Sequence, residues 1–221
     1  MKTGALTALL LAVLGRALAA QAGVAARLDA RVAPEVVIAV QALADTAAAR
    51  GLPVEPLIQK ALEGGAKGVP ADRVIAAVRT LVGQLDAAAG ALREAGLPTT
   101  DSDAVEAGTF ALKAGLRANQ VRDLARASRA PYTPAATLRV AATLAALGVP
   151  PKETVDLVQR TIAQGVAPSE LLDLPEQVQA EVGRGVPPAQ AAFGLSQAAA
   201  AHAAHGPPWD VPPGKGKSRK P

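Results

Sequence analysis

Two histidines, an acidic cluster, a basic stripe and one tryptophan are the residues of this 221-residue chain whose types and spacing could do chemistry. His202 and His205 are the only histidines and stand three residues apart in an alanine-rich run. On a helix that spacing could offer a metal ion two nitrogens. A protein zinc site needs three or four ligands, and only Asp210 lies nearby in sequence. The pair therefore reads as solvated histidines, and neither a metal ion nor a cofactor is expected. The absence of cysteine excludes disulfides, thiolate metal sites and a cysteine nucleophile. No serine sits in a GxSxG elbow, and no glycine belongs to a GxxxxGK[ST] phosphate loop. Asp101, Asp103 and Glu106 cluster without the spacing of a calcium loop, and helix capping accounts for them better. No catalytic residue is expected.

The basic stripe carries more. Arg122, Arg126 and Arg129 are spaced i, i+4, i+7, with Lys113 and Arg117 upstream. Asp123 is the only acidic residue between Lys113 and Arg139. Such a stripe is the one local field that could attract an anionic partner. A nucleic-acid partner is not expected. The net charge is +4, but from Gly23 to His205 the chain has 17 Lys and Arg against 18 Asp and Glu, or −1, so the excess sits at the two ends. Trp209, in the stretch PPWDVPP, is a candidate docking residue for another protein. It lies in a proline-, glycine- and lysine-rich segment, 206–221, whose composition predicts a disordered tail.

The elements that would position these residues are announced by a recurring phrase, Gly-(Leu/Val)-Pro. It occurs at Gly51–Pro53, Gly68–Pro70, Gly148–Pro150 and Gly185–Pro187, and in weakened form at Gly165. Glycine just past a helix end adopts the left-handed conformation at little steric cost. The apolar residue after it packs back on the helix, and proline opens the next helix, where its missing N–H is not needed. The phrase is thus a helix-to-helix corner, and the expected fold is all-α: helical hairpins packed as a bundle or short solenoid. Helices are predicted from Pro34 to about Arg50, from Pro53 to a stop in Gly64-Gly65, and from Pro70 to about Ala95. Others run from about Asp103 to Ala114 and from about Ala118 to Ala127. In the fourth of these Val105, Phe110 and Leu112 are the candidate core residues. Pro175 should break a later helix that begins at Ser169.

Aromatic residues make up only 2% of the chain although half of it is apolar, so the core must be built from Ala, Leu and Val. A shift of 97 residues lays Gly51 on Gly148, Pro53 on Pro150 and Gly68 on Gly165, which predicts two related helical units, 23–129 and a shortened 130–205. Residues 1–22 have the pattern of a secretory signal peptide: Lys2, the apolar run GALTALLLAVLG, and Ala20-Gln21-Ala22 before a cleavage point. No later stretch is expected to span a membrane. The expectation is an exported, non-enzymatic scaffold that binds a protein or an anionic envelope component. The alternative is a hydrolase-type enzyme, or an enzyme's accessory, with a carboxylate pair in a helical cleft.

Overall fold

The computed structural model describes residues 23–205. The expected signal segment, Trp209 and the basic tail lie outside the described residues, as do the side chains of His202 and His205. The described residues form helices and no strand. A short helix over 23–28 (α1) leads into α2 (Pro34–Ala49), α3 (Glu55–Ala66), α4 (Ala71–Glu94), α5 (Ser102–Lys113) and α6 (Ala118–Ala127). There follow α7 (Pro134–Ala146), α8 (Pro151–Ala163), α9 (Pro168–Gly183) and α10 (Pro188–His205).

Seven glycines end helices with positive φ, between 62° at Gly68 and 105° at Gly115. At Gly51 the amide donates to Ala48 O (2.9 Å), and the next amide, of Leu52, reaches back to Ala47 O (2.9 Å). The same two bonds recur at Gly68–Val69, Gly96–Leu97, Gly115–Leu116, Gly148–Val149 and Gly185–Val186. They satisfy carbonyls that the helix end would otherwise leave open. Leu52, Leu116 and Val149 are buried, so the residue after the glycine also anchors the corner in the core. Tyr132, buried between α6 and α7, donates its hydroxyl to the carbonyl of Val166 at the Gly165 corner.

The corners fold the chain into two layers. Each helix from α2 to α10 packs on its successor, and α2, α4, α6, α8 and α10 pack in series. In the other layer α5, α7 and α9 do the same. The most extensive contact is α5 on α7. The buried residues of α5 are small: Ala104, Val105, Ala107, Gly108, Thr109 and Ala111. A Cβ on Gly108 would stand 3.2 Å from the Cβ of Ala88 on α4 and 3.4 Å from Cγ1 of Val121 on α6.

Packing overturns three expectations. Phe110 is not a core residue but is 57% exposed, because the buried face of α5 is filled by small residues and a phenyl ring has no room there. Leu112 is only half-buried. Gly64 and Gly65 do not stop α3, which runs through them to Ala66. They are places where other chain segments press on the helix: a Cβ at Gly64 would lie 2.6 Å from Cγ2 of Val74, and one at Gly65 would lie 2.6 Å from the backbone oxygen of Arg31. Pro175 does not break α9, which continues from Pro168 to Gly183. Leu171, Leu174 and Val178 are buried along one face on either side of the proline, and that packing outweighs the lost backbone bond. Finally, α4 has the length and the mean hydropathy, 1.2 over its most apolar window, of a membrane span. It lies against α2, α3, α5 and α6, and a core helix passes the same test.

Glycines in the three settings should respond to alanine with different signs. Gly51→Ala, at φ 70° with open space around its Cβ, should lower stability by about 1 kcal/mol through backbone strain alone. Gly64→Ala should cost about 1–3 kcal/mol through overpacking against Val74. Gly83→Ala, inside α4 with nothing near its Cβ, should add about 0.5–1 kcal/mol. Urea unfolding midpoints of the three variants read these differences directly.

Candidate functional site

In the series of next-but-one helices from α2 to α10, one pair stands apart from the rest: α3 and α5 share no extensive contact. A cleft of about 490 Å³ lies there. Its floor is Leu81 and Leu85 of α4, one turn apart, and Leu85 is fully buried. One wall is the face of α3 carrying Pro56, Gln59, Lys60 and Glu63, with Glu55 at its start. The other is the face of α5 carrying Glu106, Thr109, Phe110 and Lys113, at positions i, i+3, i+4 and i+7. Three helices thus form a trough with an apolar floor and long polar side chains along its rims. Those side chains are longer than the alanines and glycine of α5's buried face, and two of them, Phe110 and Lys113, also border the groove beside α7.

Most rim charges are already engaged. Arg27 of α1 holds Glu55 with both guanidinium ends, Nη1 to Oε2 at 2.5 Å and Nη2 to Oε1 at 2.7 Å. Gln59 Nε2 donates to the same carboxylate at 2.7 Å. These bonds, that from Arg27 foremost, hold the Glu55 carboxyl down to about 2. Lys67 and Lys60 flank Glu63 at 2.5 and 2.9 Å and lower its carboxyl to about 2 as well. Lys113 leans over the Phe110 ring, its Nζ 5.8 Å from the centroid. Glu106 differs from the other carboxylates. It is half-buried and makes no hydrogen bond or ion pair among the described residues. Burial pushes its carboxyl up, helped by Asp103 and opposed by Arg139 of α7.

The residues singled out from sequence lie elsewhere or do other work. Asp101 caps α5, its Oδ1 accepting the amide of Ala104 at 3.0 Å. Arg122 and Arg126 belong to α6, but Arg129 falls beyond its end at Ala127. Arg122 is paired with Asp123 at 2.8 Å and with Glu94 at 3.6 Å. Arg126 donates to the backbone oxygen of Glu94 at 2.8 Å, near the end of α4. Arg126 and Arg129 share a shallow surface with Asp123 and α8. Arg117 and Arg129 have no ion pair among the described residues, and no group of His, Cys, Asp or Glu there could hold a metal ion. Sequence reasoning missed the trough. Glu106 was legible only as one of a capping cluster, and Phe110 only as an apolar residue.

Replacing Arg27 with glutamine should move the Glu55 carboxyl up from about 2 toward its ordinary value of 4.5, leaving Gln59 as its remaining donor. Because the folded value lies below the unfolded one, the interaction supports the fold above pH 4.5 and its contribution is lost as pH falls toward 2. The stability–pH curve of Arg27→Gln should therefore be flatter than that of the wild type across this window. NMR titration of the glutamate carboxyl carbons checks the shift, and an unchanged Glu55 would refute the role given to Arg27. Compared with known proteins, the chain matches no family model, no curated protein and no solved structure.

Proposed function

We propose that the chain is an exported, non-enzymatic helical-repeat module that holds one helix of a partner protein in the trough between α3 and α5. The observation that carries this reading is the open cleft between α3 and α5 above an apolar floor. Helices on three sides leave room for a fourth, and an amphipathic helix laid in a groove is a recurrent mode of protein recognition. The walls also present their side chains at helical spacing, as a packed neighbour requires.

Export rests on the tripartite pattern of residues 1–22, and an envelope or extracellular partner follows from it. The two-unit organisation, 23–129 and 130–205, rests on the 97-residue register that lays Gly51 on Gly148, Pro53 on Pro150 and Gly68 on Gly165. The competing enzymatic reading draws on Glu55 and Glu106, carboxyls displaced in opposite directions within one trough. It is the weaker reading. At about 2, and tied to Arg27 and Gln59, Glu55 is a poor general base, and nothing orients Glu106. The anionic-partner reading is weaker too, since Arg122 is already paired with two carboxylates.

Panning a displayed library of helical peptides on the full chain tests the trough. Selected peptides should lose at least tenfold in affinity, about 1.4 kcal/mol, on Leu81→Glu and on the milder Phe110→Ala, and should keep it on Ile38→Ser, an exposed site on α2. Peptides indifferent to both trough variants, or no selected peptide at all, would overturn the assignment. Mass spectrometry of the mature chain from fractionated native cells tests export: an N-terminus at Gly23 outside the cytosol is expected, and an intact Met1 in the cytosol refutes it.

A further inference from the structure

The trough has unlike ends. Along the α5 wall Glu106 and Lys113 stand seven residues apart, about 10.5 Å along the helix axis, with Phe110 between them. Glu55 and Glu63, the other trough carboxylates, are consumed by Arg27 and by Lys60 and Lys67. Lys60 is spent on Glu63 in the same way. Of the five trough-lining charges, Glu106 and Lys113 are thus the two without an ion pair among the described residues, one of each sign. Arg139, the cation that opposes the burial of Glu106, lies on α7, in the neighbouring groove that Phe110 and Lys113 also line, and makes no ion pair with Glu106. A partially buried carboxylate without a hydrogen bond is costly, and a cation brought to it from the open side of the trough relieves that cost.

We infer that the helix received by the trough carries a basic and an acidic residue seven positions apart. The basic residue pairs with Glu106, the acidic one pairs with Lys113, and apolar residues between them rest beside Phe110 on Leu81 and Leu85. The inference rests on the helix-binding reading above and adds the ligand's charge pattern and direction. Two α-helices side by side share the same rise per residue, so a seven-residue spacing on the wall calls for the same spacing on its occupant. The opposite signs also give the occupant one direction, its basic end lying toward the start of α5.

The test uses three alanine-rich helical peptides of about 20 residues, the length at which isolated helices become stable. They are identical except at two positions seven apart, which hold Lys and Glu, Lys and Lys, or Glu and Glu, with leucine at the two positions between that share their face. Fluorescence anisotropy against the full chain at low salt should rank the Lys/Glu peptide first by roughly three- to tenfold, the range of one or two partly exposed ion pairs. Glu106→Lys should transfer the preference to the Glu/Glu peptide, and Lys113→Glu should transfer it to the Lys/Lys peptide. Circular dichroism verifies that both variants fold. Equal affinity for all three peptides, or a ranking that the two variants leave unchanged, refutes the charge pattern. Helix binding itself then still stands if affinity falls on Phe110→Ala. If no peptide binds, or binding ignores Phe110→Ala, the helix-binding reading fails as well.

Discussion

An alanine side chain buries so little surface that two helices relying on it must come nearly backbone to backbone before the contact stabilises anything. Most of this fold is shaped by that requirement. The chain has almost no aromatic residues, and its core is a continuous mixture of Ala, Val and Leu running from Val24 to Ala192. Where α5 crosses its neighbours, Gly108 is so close to Ala88 and Val121 that one added methyl would have to displace them. Gly64 and Gly65 do the same for α3, letting Val74 and the Arg31 carbonyl close on it. Close approach in turn demands sharp corners, because a loose loop would let the helices drift apart. The left-handed glycines with their paired backbone bonds supply those corners.

The trough follows from the same rule applied in reverse. α5 has two faces of different character. Toward α7 it carries residues with almost no side chain, and the helices touch. Toward α3 it carries Glu106, with Phe110 and Lys113 at the border between the two faces, and the contact is slight. The opening is therefore written into side-chain size on one helix and needs no loop or insertion. Its electrostatics follow from neighbours: Arg27 of α1 neutralises Glu55 from outside, and two lysines bracket Glu63 within and just beyond α3. What is left along the trough is a short polar pattern around one aromatic ring.

The all-helical class and the corners were legible because glycine, an apolar residue and proline each act there for a local reason, and local reasons survive without tertiary context. Gly64-Gly65 misled for the same cause. It is a glycine pair without the apolar residue and proline that follow at Gly51 or Gly68, and its role depends on Val74 and Arg31, which no local rule connects to it. Pro175 misled because propensity was set against the burial of Leu171, Leu174 and Val178, and burial won. Phe110 reads as core because it is apolar, although the alanines and glycine around it mark which face of α5 is buried. The trough could not have been read from the chain, since it is defined by two helices that share no extensive contact. Asp101 was recognisable as a cap from its spacing, whereas Glu106, five residues on, looks the same in sequence and lines the opening instead.

Six of the seven glycine corners satisfy their own carbonyls through two bonds that both begin and end within six residues, as from Ala47 to Leu52. Bonds from outside are additions to these turns: the Tyr132 hydroxyl on Val166 O and the Arg126 guanidinium on Glu94 O. A helix pair bounded by two such corners accordingly carries its own turn closures with it. The change in length that these corners tolerate is a step of one whole helix pair. A step that removed α6 and α7 would take away the close partner of α5 while leaving the α3, α4 and α5 side chains that line the trough. The trough and the length of the helical stack are, in that sense, separable features of the fold.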